Sequence, residues 1–169
     1  MNDWREDCSV PRRSILTDKE TAFLRELVRN RVPFLIVGLS AATLQGAPVV
    51  TQDIDLWFKN LRNPGIAKAL RKVDGIYVPS IGLNPPMVAG ENVELFDIVM
   101  NMDGLQSFDK EFERSIEVSL GRFKVRVLPL DRIIKSKQAA GRPKDRLTLR
   151  VLKDSLAVIR EESKMTRQG

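Results

Sequence analysis

Two carboxylates separated by one apolar residue, Asp53-Ile54-Asp55, interrupt the otherwise apolar end of the run TQDIDLWF at 51–58. The run alternates, so in an extended chain Asp53, Asp55 and Trp57 point one way and Ile54, Leu56 and Phe58 the other. The two acids then share a face with their α-carbons about 6.6 Å apart. Like charges so placed repel and lose hydration, and a divalent cation between them relieves both costs. Taken alone, the pair also fits an exposed edge strand with solvated acids. Asp97 adds weight to the cation reading, because it lies inside a second apolar run, VELFDIVM at 93–100, where an unpaired buried carboxylate is expensive. If the two runs are sheet neighbours, three carboxylates converge. Such a set suits magnesium or manganese, hard cations that take oxygen ligands, bridge nucleotide phosphates and stabilise charge at a phosphorus under attack. Asp97 is the candidate to help deprotonate an attacking hydroxyl.

The composition narrows who else can do chemistry. The chain has no histidine, which removes imidazole bases, serine-histidine relays and His-based zinc sites. Its single cysteine, Cys8, lies in a polar stretch and cannot form an intrachain disulfide; it reads as a surface thiol. With 28 basic and 22 acidic side chains the net charge is +6, which favours encounter with phosphate-bearing partners without choosing among ATP, RNA and DNA. The stretch 1–13 is charged rather than apolar, and no apolar run reaches membrane-spanning length, so the expected location is cytoplasmic and no membrane partner is expected.

Two further segments carry candidate groups. The strand-like run Phe34 to Val37 leads through Gly38 into the small-residue segment that contains Ser40 and Ala41. Free backbone N–H groups at a helix start can hold a phosphate, and Ser40 can add a hydroxyl; the same small residues also permit close packing with no ligand. Near the other end, Lys135, Lys137, Arg142, Lys144 and Arg146 surround a helix break. They read either as an electrostatic clamp for a triphosphate or as a solvated basic turn, with Lys137 and Lys144 taken as plain surface charges and Asp145 as a cap or an ion-pair partner.

The elements that must position these groups follow from periodicity. A helix is expected over 14–30, capped by Thr17 and Glu20, with Phe23, Leu24, Leu27 and Val28 as its buried stripe. Then come a strand at 34–37, a short helix at 40–44, the acid-bearing strand at 51–58, and a helix opened by Asn63 and Pro64. The stretch 74–92 is rich in glycine and proline and reads mostly as loop, with a short strand near 77–80. The strand at 93–100, a helical piece at 105–112, a hairpin around Gly121, and helices at 130–140 and 143–160 complete the order. In the last helix Leu147, Val151, Leu152, Leu156 and Ile159 form the expected inward stripe. The organisation is therefore a polar leader at 1–16, an α/β core at 17–128, C-terminal helices at 129–160 packed on it, and a disordered tail at 161–169. The fold class is α/β of the α+β kind, a mixed sheet flanked by helices.

Taken in order, Val37-Gly38-Leu39-Ser40, Asp53-Ile54-Asp55 and Phe96-Asp97-Ile98 resemble the signature of the nucleotidyltransferase superfamily. The stretches FLIVGLSAATLQGAPVVTQDIDLWF and LPLDRIIKSKQAAGRPKDR are similar to the small bacterial branch that contains the AbiEii-type toxin, and the resemblance covers about residues 32–160. It implies that Asp53, Asp55 and Asp97 bind metal and carry catalysis. It also implies that Gly38, Ser40, Thr51, Lys135 and Arg142 face a nucleoside triphosphate, and that a nucleoside monophosphate passes to a hydroxyl of an RNA, protein or small-molecule acceptor. Two departures stand out: Leu39 replaces the usual second small residue, and no arginine stands two residues before Thr51. They motivate an alternative in which the same fold binds nucleotide or a cognate partner protein, as in a toxin–antitoxin pair, with weak transfer or none. A third reading, a basic nucleic-acid-binding protein without chemistry, lacks paired stacking aromatics and any recognisable motif.

Overall fold

The structure, a computed structural model, describes residues 16–167. Helix α1 (Asp18–Arg29) begins at a capping box in which the Thr17 backbone N–H donates to the Glu20 carboxylate at 2.9 Å. Its apolar stripe, Phe23, Leu24 and Leu27, is fully buried. Strand β1 (Phe34–Val37) is buried along its whole length, which is why it reads as a continuous apolar run without alternation. Helix α2 (Gly38–Leu44) follows without a connecting loop. Strand β2 (Ile54–Phe58) carries the alternation, and α3 (Pro64–Arg71) starts where Asn63 accepts a hydrogen bond from the Gly65 N–H at 2.8 Å.

The glycine- and proline-rich stretch is more ordered than its composition implies. It forms β3 (Ile76–Val78) and β4 (Met87–Ala89), a small antiparallel sheet in which Tyr77 faces Val88. Each strand is only three residues long, too short for alternation to show above the turn signals. Strand β5 (Phe96–Val99), helix α4 (Phe108–Arg114), the hairpin β6 (Ile116–Leu120) and β7 (Phe123–Val127), and helices α5 (Leu130–Ala140) and α6 (Pro143–Arg167) complete the chain.

The main sheet has the order β5-β2-β1-β7-β6. Strands β2 and β1 are antiparallel, while β2 with β5 and β1 with β7 are parallel, so the sheet is mixed as expected. On one face Phe23 of α1 meets Phe96 of β5 edge-on at 4.9 Å between ring centres. On the other, Trp57 packs edge-on against Phe108 at 5.5 Å. The tryptophan is buried, which assigns it to the core rather than to a nucleotide base.

Two sequence expectations about α6 are corrected. The helix continues through Arg167, so 161–167 is not a disordered tail; its last turns are largely polar and exposed, which hid them from a reading based on an apolar stripe. Leu147 is 82% exposed and does not belong to the inward stripe. The face that packs is Asp145, Leu149, Leu152, Leu156 and Ile159, alternating four and three residues apart, and Leu147 lies about 140° around the helix from Leu152. The leader and Cys8 fall largely outside the described residues; Leu16 at its edge is buried in the core.

Candidate active site

Strand register decides which acids meet. Asp55 of β2 pairs with Val37 of β1 on one side and with Asp97 of β5 on the other, making one row across three strands. Asp97 therefore emerges beside Asp55 on the same face of the sheet, as expected if the two runs are neighbours. Asp55 is half-buried and Asp97 exposed. Asp53 lies just before β2, exposed, in a turn where the Thr51 hydroxyl donates to the Asp53 carbonyl at 3.0 Å. Thr51 thus shapes the approach to the acid strand.

The turn after β1 closes against the same acids. Gly38 has φ of +65°, a left-handed conformation that side chains disfavour, and a Cβ added there would collide with Oδ2 of Asp55. Glycine is required twice over, by backbone angle and by the carboxylate resting on it. Ser40 behaves differently from the expectation of a free phosphate donor. It is fully buried, its hydroxyl donates to the Val37 carbonyl at 2.9 Å, and it accepts a long bond from the Asp55 N–H at 3.4 Å. Its proton is spent on holding the turn against β2. Leu39 is half-buried and packs against the core.

These surroundings set the charge on Asp55. Burial, reinforced by repulsion from Asp97 and then Asp53, pushes its carboxyl up to about 6, against the opposing pull of Lys137 and Lys144. The row is thus short of positive charge. Among the described residues no group of three or more acid or cysteine side chains is drawn together tightly enough to form a ready-made metal cage. Of the three expected acids, Asp55 and Asp97 share a row across β2 and β5, while Asp53 precedes β2 and lies near enough to repel Asp55. A pair fits magnesium at nucleotide sites, which typically takes one or two carboxylates together with substrate phosphates.

The basic residues sort differently from their sequence assignment. A cleft of about 220 Å³ beside Asp55 is bordered by Lys137, Arg142 and Lys144, the first two of which reach Asp145 at 2.7 Å and Asp103 at 3.7 Å. Lys144 has no ion-pair partner among the described residues and acts on Asp55 through space. Lys135, expected at the nucleotide, is exposed and does not border this cleft. On α5 the face turned to the cleft is Ile133, Ser136, Lys137 and Ala140, and Lys135 points elsewhere; the helical spacing from the buried Ile133 carried this signal. Asp145 is 4% exposed because it occupies the first position of the inward seam of α6, and from there it holds Lys137 toward the cleft.

Two anchors that the sequence did not flag fix α5 in place. Gln45, at the end of α2, donates to the Leu128 carbonyl at 2.9 Å and accepts from the Leu130 N–H at 3.0 Å, tying α2 to the first turn of α5. Glu111 on α4 is fully buried and receives two hydrogen bonds from Arg132 on α5, at 2.9 and 2.5 Å. Burial alone would raise the Glu111 carboxyl, but the bonds from Arg132 and from the Gln106 N–H outweigh it and hold it below the ordinary glutamate range. Neither residue carries a local signature, since each acts on a segment distant in sequence.

On the far side of the acids lies a second cavity of about 610 Å³, walled by the β3–β4 hairpin and by Ile98 and Val99 of β5. Asp55 and Val99 border both cavities, so the acid row lies on the partition between them.

Neither a protein-family model nor a curated protein sequence matches the chain. Solved structures do. The crystal structure of ANT(2")-Ia in complex with adenylyl-2"-tobramycin superposes with a TM-score of 0.58 at 16% identity, covering 88% of this chain and 96% of that one. The solution structure of the antibiotic-resistance factor ANT(2'')-Ia gives the same score and identity over 89% and 94%. This likeness is one of fold: a mixed sheet flanked by helices with a C-terminal helical extension, the nucleotidyltransferase-like architecture.

Proposed function

We propose that the protein is a nucleotidyltransferase that moves a nucleoside monophosphate from a nucleoside triphosphate to a hydroxyl. The observation that carries this reading is the row Val37, Asp55, Asp97, with Gly38 pressed against the Asp55 carboxylate and a basic cleft alongside. Further support comes from the fold shared with a protein whose structure holds an adenylylated product, adenylyl-2"-tobramycin. In this reading Lys137, Arg142 and Lys144 draw the triphosphate into the cleft and screen its charge. Asp55 and Asp97, with Asp53 nearby, are the groups that hold magnesium or manganese. The bound ion supplies charge neutralisation at the phosphorus under attack. Asp97, the more open of the paired acids, accepts the proton of the acceptor hydroxyl. The narrower kinship with AbiEii-type toxins rests on the two sequence stretches that resemble that branch.

The test is incubation of the full chain with α-labelled nucleoside triphosphates, magnesium and a cell extract. Label transfer that disappears in Asp97→Asn supports the reading. Equal background labelling by both proteins overturns it.

A second reading is favoured by Leu39 and by the internal use of the Ser40 hydroxyl, which together leave the turn after β1 with fewer groups to offer a phosphate. Here the chain binds nucleotide or a cognate partner protein without efficient transfer. Calorimetry separates the two: nucleotide binding without pyrophosphate release favours the second, and rapid release removes it.

A further inference from the structure

Building on the nucleotidyltransferase reading, we propose that the acceptor is a small uncharged molecule that presents its hydroxyl from an apolar ring or alkyl scaffold, bound beneath the β3–β4 hairpin. The cavity there, about 610 Å³, lies within the range of small-molecule sites, roughly 300–1,000 Å³. Its walls are Val78, Ile81, Pro86 and Met87 from the hairpin and Ile98 from β5, with Asn84 as an uncharged polar group. Among the described residues, the charged side chains that line it are Asp55 and Asp97. Asp55 also borders the basic cleft and Asp97 stands beside it in the same row, so the transferred phosphorus would lie there.

The two sides of the partition therefore ask for different chemistry. The Lys137, Arg142 and Lys144 side suits a triphosphate, and among the described residues the hairpin side has no cation to neutralise a nucleic-acid backbone. A polyamine acceptor such as tobramycin carries several ammonium groups, and among the described residues the lining offers no carboxylate beyond Asp55 and Asp97, the pair that would hold the metal. Ile81 and Met87 are 65% and 51% exposed, and an apolar ligand seated against them removes that surface from water. In the reaction, the acceptor oxygen forms a bond to the α-phosphorus of the nucleoside triphosphate. The bond from that phosphorus to the bridging oxygen breaks, pyrophosphate leaves with the electron pair, and the hydroxyl proton passes to Asp97.

The full chain, isotope-labelled at isoleucine and methionine methyl groups, is titrated with cyclohexylmethanol, with the dication deoxystreptamine and with the anion quinate. The expected result is that cyclohexylmethanol shifts the Met87 and Ile81 resonances, that Met87→Glu weakens this at least tenfold, and that Met87→Leu restores it. Both charged rings are expected to leave these resonances unmoved at the same concentration. Tighter binding by deoxystreptamine or quinate, or an unchanged affinity in Met87→Glu, overturns the proposal. Met87 sits on the rim, so an unchanged melting temperature verifies that the variant is folded. ATP with magnesium is titrated separately and followed at Ile133. If ATP binds and cyclohexylmethanol does not, the acceptor proposal falls alone; if ATP fails to bind, the transferase reading falls and takes the acceptor role with it.

Discussion

Strand β2 presents two faces of opposite character. Ile54, Leu56 and Phe58 are almost wholly buried, whereas the other face pairs the buried Trp57 with Asp55, half-buried between acids that repel it. The first face contributes buried apolar surface. The second keeps a carboxylate next to Asp97 and under Gly38, an arrangement that costs folding energy unless positive charge arrives. That difference separates the residues that make the fold from those that make the site.

The sharpest break of the comparison is Asp55→Asn assayed by nucleotide transfer. A fall of at least 1,000-fold is expected, corresponding to about 4 kcal/mol of transition-state stabilisation at roughly 1.4 kcal/mol per decade. Label incorporation within tenfold of the parent would remove Asp55 from the chemistry. On the opposite face, Leu56→Ala deletes a side chain that is 1% exposed and is expected to cost about 3 kcal/mol, read from urea midpoints.

The same Asp55→Asn chain is expected to be more stable than the parent at pH 7.5 by about 1–2 kcal/mol in metal-free buffer. The sign follows from the raised carboxyl. Between its ordinary value of 3.8 and about 6 the folded chain holds a proton that the unfolded chain has lost. The contribution of this one group is therefore greatest below the lower value and is lost as pH rises through about 6. The gain in Asp55→Asn should vanish near pH 3.5, and a melting-temperature difference independent of pH would contradict it. The smallest effect concerns the helix face that sequence misassigned: Leu147→Ala is expected to change stability by less than about 0.5 kcal/mol, against about 3 kcal/mol for the fully buried Leu152→Ala. Comparable losses for both would put Leu147 back in the core.

Local signals were readable wherever a residue acts on its own neighbourhood. Thr17 with Glu20 and Asn63 with Pro64 mark helix starts because a cap satisfies backbone groups two or three residues away. The β3–β4 sheet was not readable as such, because its strands are short and its pairing joins residues across a loop of glycines and prolines. Lys137 and Lys144 looked like surface charges for a related reason: nothing adjacent in sequence says that the end of α5 will be carried to the acid row. Gln45, Glu111 and Arg132 do that carrying through bonds that span 21 to 85 residues of chain.

By itself the sequence determined the element order outside 74–92, the buried stripe of α1, and the presence of acids on apolar runs with a glycine turn upstream, since period, caps and turn angles are properties of a few consecutive residues. Tertiary structure alone decided that Asp55 and Asp97 share a row, that Lys137 and not Lys135 borders the cleft, and that an apolar cavity opens on the other side. Those outcomes depend on strand register and helix docking, which are fixed by contacts between segments far apart in the chain, and no window of the sequence contains both partners of such a contact.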